Sequence, residues 1–190
     1  MFFIRRPTPA AIARFLAESC HAPLSYAEPG ILEHGNRGRI RRLDDESKTI
    51  GHGARDLENA WTALRTWKHF NFGWVELHPP GAPIEIGTSV AVLVRHLGFW
   101  SLNGCRVVYH LDAGSGTRFG FAYGALTNHA EAGEELFEVF MEPATGDVVY
   151  RIRAVSWPQA TLARIGQPIV RMLQARFRRD SLAALKRAIS

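Results

Sequence analysis

From Gly73 to Trp157 the chain alternates apolar and polar residues with a period of two, in six segments: GWVELH (73–78), TSVAVLVRHL (88–97), CRVVYHLD (105–112), RFGFAYGAL (118–126), EELFEVFME (134–142) and DVVYRIRAVSW (147–157). Such alternation sends successive side chains to opposite faces of a strand. The separators HPPGAP, DAGSGT and PATGD carry turn chemistry, so five consecutive strands are expected to pair as an antiparallel meander. The grammar then changes. Over PQATLARIGQPIVRMLQARFRRDSLAALKRAIS, the residues Leu162, Ile165, Ile169, Leu173 (with Met172), Phe177, Leu182 and Leu185 recur at helical spacing, and Pro168 is expected to kink or divide the helix. A lone sheet has to cover at least one face, and only this helix is long enough to lie across it. The expected architecture is α+β, a helix-grip: a curved antiparallel sheet of five to seven strands wrapped around a C-terminal helix over most of 159–189. A cavity open at one end is expected between them.

Ahead of the sheet, TPAAIARFLAES (8–19) reads as a short helix, with Thr8 as cap, Pro9 in the first turn and Ile12, Phe15 and Leu16 on one face. Residues 23–53 are rich in Gly, Pro and charge and read mostly as loop with at most a short strand. RDLENAWTALRTWKHFN (55–71) reads as a helix whose face carries Leu57, Trp61, Leu64 and Trp67 or Lys68. At 190 residues and 46% hydrophobic content the chain is expected to form one domain, 1–190, with a sizeable core. No apolar run approaches the ~18 residues of a membrane helix, and the start is too short in apolar residues for a secretory signal. Two cysteines make no disulfide framework, so the expected setting is cytoplasmic.

The stretch YGALTNHAEAGEELF (123–137) concentrates one histidine and three carboxylates in a hairpin of the meander. On its second strand Glu135 shares a face with Phe137, Val139 and Met141, so Glu135 is expected to point inward; Glu131 and Glu134 are placed on the exposed side. A buried carboxylate has to be paired, hydrogen-bonded or protonated. A structural pair with Arg151 or Arg153 and a general acid–base role both satisfy that condition. His129 is a second acid–base candidate. The eight histidines include no HxH, no HExxH and no Cys–His cluster, so no metal site is expected. No phosphate loop occurs, Ser156 lacks the glycines of a nucleophile elbow, and no cofactor is expected. Seven basic residues against the single acid Asp180 follow Pro158. They form either a solvated helix face or a site for an acidic partner.

LSYAEPG (24–30), IGHGARDLENAWTALRTWKHF (50–70), FAYGALTNHAEAGEELFEV (121–139), RAVSWP (153–158) and QPIVRMLQARF (167–177), in that order, resemble the domain-of-unknown-function family numbered nineteen-ninety. The best of these matches the family pattern Tyr-Gly-Thr-Leu-Pro-Gly-His-Pro-Glu-x-Gly-Glu-Glu-x-Phe at Tyr123, Gly124, Leu126, His129, Glu131, Gly133, Glu134, Glu135 and Phe137. Ala125, Thr127, Asn128 and Ala130 depart from it, removing two prolines from the loop and none of its charges. The resemblance implies a START-like, helix-grip fold, the superfamily of lipid carriers, hormone binders and polyketide cyclases. It implies no particular reaction.

Three functions stay open on these residues. The leading one is binding of a small apolar or amphipathic molecule in the cavity, lined by Trp61, Trp67, Phe121, Tyr123, Phe137, Val139 and Tyr150, with Glu135 and Arg153 orienting a polar group. The second is an enzyme that uses the same cavity with Glu135 or His129 as general acid or base. The third is an interaction protein that presents the basic C-terminal helix to an acidic partner. Nucleic acid is not the expected partner, because the aromatics fall in the core rather than beside the arginines.

Overall fold

The structure, a computed structural model, describes residues 1–34, 43–112, 116–159 and 167–190. Its frame is one antiparallel sheet of eight strands: β1 (Phe2–Phe3), β2 (Asp44–His52), β3 (Val75–His78), β4 (Ser89–His96), β5 (Phe99–Asp112), β6 (Arg118–Ala125), β7 (Glu131–Met141) and β8 (Asp147–Pro158). The order is β2-β8-β7-β6-β5-β4-β3, so β3 to β8 form a meander in chain order, and β2 adds to the free edge of β8. The sheet curls into a half-barrel around the C-terminal helix, as expected for a helix-grip.

Eight strands are one more than the expected five to seven, and β1 and β2 lie outside the six alternating segments. β1 pairs with the start of β5, Phe2 opposite Ser101. β2 lies within the segment expected to be mostly loop. It carries DDESKTIGH, polar because an edge strand half open to water buries little: only Ile50 in it is buried. β5 also begins at Phe99, six residues before the expected start, so that one strand pairs first with β1 and then with β6.

Helices cover both faces. On the convex side, α1 (Pro9–His21) starts where Thr8 Oγ1 accepts from Ala11 N, and lays Ile12 and Phe15 on Ala91, Leu93 and Leu102. Further along that side, α2 (Ile31–His34) sets Leu32 against Tyr109, Leu136 and Val155. The main core fills the concave side. There α3 (Gly53–Arg65) buries Leu57, Ala60, Ala63 and Leu64. It stops six residues short of its expected end because Trp67 adopts a left-handed conformation, φ 59°, and the chain then turns through a 3-10 helix, Lys68–Phe70.

The last element, α4 (Gln167–Ile189), runs without interruption over its described length. Pro168 stands in its first turn, where a missing N–H is no loss, so it neither kinks nor divides the helix described. Leu162 and Ile165 lie outside the described residues. The two halves of α4 do different things. Leu182 and Leu185 enter the core, and Ser181 Oγ meets the hydroxyl of buried Tyr150 at 3.0 Å. Ile169, Leu173 and Phe177 instead face a gap between helix and sheet.

Candidate functional site

The gap follows from side-chain size along the sheet. At one end Phe121, Phe137, Val139 and Tyr150, with Trp67 and Phe70 from above, fill the concave face completely. At the other end the same strands carry Ala125, Gly133 and Ala154 on that face. Gly133 is held at φ 137°, where a Cβ would run into the carbonyl of Val155. Beyond Tyr123 and Glu135 this part of the floor carries only small side chains, and the N-terminal half of α4 does not close on it. A cavity of about 1080 Å³ remains. Val92, Val94, Trp74, Leu173 and Phe177 make its walls, and exposed Met1, Phe2, Leu97 and Phe99 mark where it opens.

Glu135 projects into this cavity. Its cross-strand neighbours are Tyr123 and Ala154, and the hydroxyl of Tyr123 donates to its Oε2 at 2.6 Å. Burial raises its carboxyl from the ordinary 4.5 to about 7; the Tyr123 hydrogen bond and the nearby Arg178 guanidinium hold it from rising further. The hydrogen bond given to Glu135 by the described residues is to Oε2, which leaves its other oxygen on the cavity side. Arg178, nine-tenths buried on α4, also lines the cavity, but its guanidinium is engaged by Glu46 at 3.3 Å and Asp44 at 3.5 Å.

His129 lines the cavity as well, in the turn between β6 and β7. Its Nδ1 accepts from Glu131 N at 2.9 Å, and burial pushes its pKa down to about 4, so the imidazole is neutral near pH 7. The turn itself is tied down without the family's prolines. His129 N donates to Leu126 O, Thr127 N to Pro23 O, and Asn128 Nδ2 to Ser19 Oγ. Gln159 Nε2 reaches the carbonyls of Leu126, His129 and Glu131, each at 3.2 Å.

The remaining carboxylates correct the expected picture. Glu131 is buried and lines the cavity: alternation from Glu135 through Gly133 carries it to the same face. Its carboxyl is raised above the ordinary value, by burial first, with Ser156 and Arg171 opposing. Glu134 is also buried, on the convex side. It accepts from the hydroxyls of Tyr26 (2.9 Å) and Tyr109 (3.0 Å) and from the amides of Gly30 (2.8 Å) and Leu32 (3.1 Å). The arginines foreseen for Glu135 belong to Glu138 instead. The β7–β8 register sets Arg151 opposite Glu138, and Glu138 is surrounded by Arg151, Arg153 (3.4 Å) and Arg118.

Of the residues expected to line a site, Tyr123, Glu135 and His129 surround the cavity. Phe121, Phe137, Val139, Tyr150 and Trp67 pack the solid end of the core, Trp67 with its indole N–H on Ala82 O at 2.8 Å. Trp61 sits at the edge of that core, and Arg153 lies on the outer face against Glu138 and the carbonyl of Leu32. Trp74, Asn103 and Arg178 line the cavity without having been singled out, and Glu131 lines it against its expected exposed placement. Period two extended back from Glu135 finds Glu131, and helical phase finds Arg178, four residues before Leu182. Asn103 lies in the part of β5 that gave no strand signal. On α4, Arg176 and Arg179 pair with Asp180 at 3.4 Å each, and Arg176 also covers the ring of Trp74. The basic end of the chain is thus partly neutralised from within. Arg164 lies outside the described residues.

A curled antiparallel sheet gripping a long C-terminal helix, with a cavity between them, defines a helix-grip α+β protein. The chain belongs to the family described as Domain of unknown function (DUF1990), whose model matches residues 25–184. A UPF0548 protein of Deinococcus radiodurans is 36% identical over 200 residues, covering 99% of this chain and 98% of that one. Another UPF0548 protein, from Dictyostelium discoideum, is 28% identical over 207 residues, covering 100% and 96%. Among solved structures, a hypothetical protein from Helicobacter pylori aligns with a TM-score of 0.55 at 11% identity, over 87% of this chain and 96% of that one, a likeness of fold alone. No helix among the described residues is long and apolar enough to cross a membrane.

Proposed function

We propose that the protein binds a small amphipathic molecule in the cavity between the sheet and the N-terminal half of α4. The observation that supports this most is the pairing of a cavity of about 1080 Å³, walled mainly by apolar side chains, with Glu135 projecting into it. Ligand pockets typically combine such walls with a few convergent polar groups. The apolar walls would hold the ligand's body, and the free oxygen of Glu135 would orient its polar end. Arg153 and the aromatics at the solid end of the core act as scaffold in this proposal, because the cavity does not reach them.

Native mass spectrometry of gently purified protein, with organic extraction of what it carries, tests the proposal. A bound small molecule released on denaturation is the expected result. Protein that carries nothing and takes up no added amphiphile counts against it.

A second reading, proton transfer in the same cavity, draws on one observation: burial places the Glu135 carboxyl at about 7, the range of a general acid or base. Exchange of an α-proton in a bound carbonyl compound, lost in Glu135→Gln while binding is kept, is the result that favours it.

A further inference from the structure

We infer that the cavity's polar end selects an organic cation: the ligand is an amphiphile whose head is a protonated amine, seated on the free oxygen of Glu135. This rests on the binding function proposed above and names its ligand class.

The charges around Glu135 lead there. From β6 it faces Tyr123, whose hydroxyl it already uses. From β5 comes the buried thiol of Cys105 and from β8 the buried phenol of Tyr150, both held in their neutral forms by burial and by Glu135 itself. From α4 comes Arg178, and from β2 Asp44 and Glu46, which together occupy that guanidinium. An incoming anion would meet a cation already shared by two carboxylates. An incoming cation would meet a carboxylate with one oxygen open.

Glu131 supplies an independent observation. It lines the same cavity four residues earlier on the same face and is 7% exposed, and its Oε1 has no hydrogen-bond partner among the described residues. Arg171 is the cation felt at Glu131. Asp44, Glu46, Glu131 and Glu135 therefore stand against Arg171, Arg178 and the N-terminal ammonium of Met1, which donates to Leu102 O at 2.8 Å and leaves the carboxylates one in excess. His129 adds no charge near neutrality. A low-polarity cavity with surplus carboxylate favours a desolvated cation and penalises a desolvated anion.

The ligand class fixes the sign of a pH dependence. Seating an ammonium requires ionised Glu135, so amine affinity rises with pH through about 7. A carboxylate ligand prefers protonated Glu135, so its affinity falls over the same range.

The test uses three probes of equal chain length, decylamine, 1-decanol and decanoate, titrated calorimetrically into the full chain at pH 6 and pH 8. An alkylamine stays protonated at both pH values. At pH 8 decylamine is expected to bind at least tenfold more tightly than either other probe. Its affinity should drop several-fold at pH 6, while that of decanoate should not. Glu135→Gln, with melting checked, should bring the affinity for decylamine down to that for decanol, erasing the amine preference. Equal or tighter binding of decanol or decanoate at pH 8, or an amine preference that survives in Glu135→Gln, overturns the inference and leaves the proposed binding function standing. Failure of all three probes to bind folded protein removes both.

Discussion

Tyr123 and Glu135 stand directly opposite one another on β6 and β7, and the phenol donates to the carboxylate at 2.6 Å on the floor of the cavity. This partner is neutral, so the carboxylate keeps most of its desolvation cost. Burial raises the carboxyl from 4.5 to about 7. A raised acid binds more protons in the folded state than in the unfolded state, so stability falls as pH rises from 4.5 to 7 and stays lower above. Glu135→Gln removes the charge and nearly keeps the shape. It is expected to stabilise the protein at pH 8 by on the order of 2 kcal/mol and to be neutral at pH 4. Glu135→Ala strands no arginine, since Arg178 keeps Asp44 and Glu46. Denaturant melts at the two pH values decide this, and a large loss of stability in Glu135→Gln at pH 8 would refute it.

Tyr123→Phe tests the same pair from the other side. Without the phenolic hydrogen bond, which lowers the Glu135 pKa, the carboxyl should titrate higher still. Carboxyl-selective NMR of the labelled glutamates reads this directly. An unmoved or lowered Glu135 titration would mean that the hydrogen bond does not favour the charged form.

Glu134 makes the opposite prediction from its neighbour. Four donors converge on it from Tyr26, Gly30, Leu32 and Tyr109, three of them on the segment that carries α2. Removing the acceptor leaves buried donors unsatisfied, each a cost of about 1–3 kcal/mol where water cannot enter. Glu134→Ala is therefore expected to destabilise by at least about 3 kcal/mol. The loss should appear first as faster amide exchange in residues 24–34, with β6 and β7 still protected. Uniform loss of protection, or none, would show that Glu134 does not anchor this segment.

The different fates of these two glutamates show what a local pattern carries. Period two along EELFEVFM placed Glu135 on the concave face, because alternation is a property of one strand. It could not show what covers the convex face. The donors to Glu134 lie 25 to 108 residues away in sequence, and two of them are backbone amides of a segment without periodicity. The arginines were misassigned for a related reason. Arg151 and Arg153 do share a face, but the length of the turn after Met141 sets the register that puts Arg151 across from Glu138. The fold was more legible than the site, since strand count and helix length constrain topology, whereas the cavity depends on three small residues meeting from three strands.

His69 gives a pH dependence of the other sign. It is fully buried in an aromatic box, stacked on Trp67 at 5.6 Å and tilted against Phe137 at 4.7 Å, and neither ring nitrogen has a hydrogen-bond partner among the described residues. Burial lowers its pKa from 6.5 to about 3, and that of His129 from 6.5 to about 4. A depressed base binds fewer protons when folded, so stability is lost as pH falls from 6.5, at about 1.4 kcal/mol per pH unit for each group. Between pH 4.5 and 6.5 this loss opposes the gain from Glu135. Glu135→Gln should therefore steepen the acid destabilisation in that window, and His69→Leu should flatten it. Urea midpoints measured from pH 4 to 8 for wild type and both variants test the signs together, and parallel curves for all three would sink the assignment.

The cavity itself can be challenged without touching a charge. Ala154 lies on its floor across from Glu135, on a face where the neighbouring positions are also small. Overpacking a filled core usually costs about 1–3 kcal/mol, because side chains have to leave their rotamers. At the edge of open space a larger side chain buries apolar area instead, worth roughly 25 cal/mol per Å². Ala154→Phe should then leave melting within a few degrees of wild type while reducing binding of any cavity ligand at least tenfold. Val139→Phe, at the solid end where Val139 is fully buried, should do the reverse, lowering stability with little direct effect on binding. Calorimetric melts and decanol titrations on the two variants separate a cavity that holds a ligand from one that is only unfilled. Unchanged binding in a well-folded Ala154→Phe would place the ligand somewhere other than between the sheet and α4.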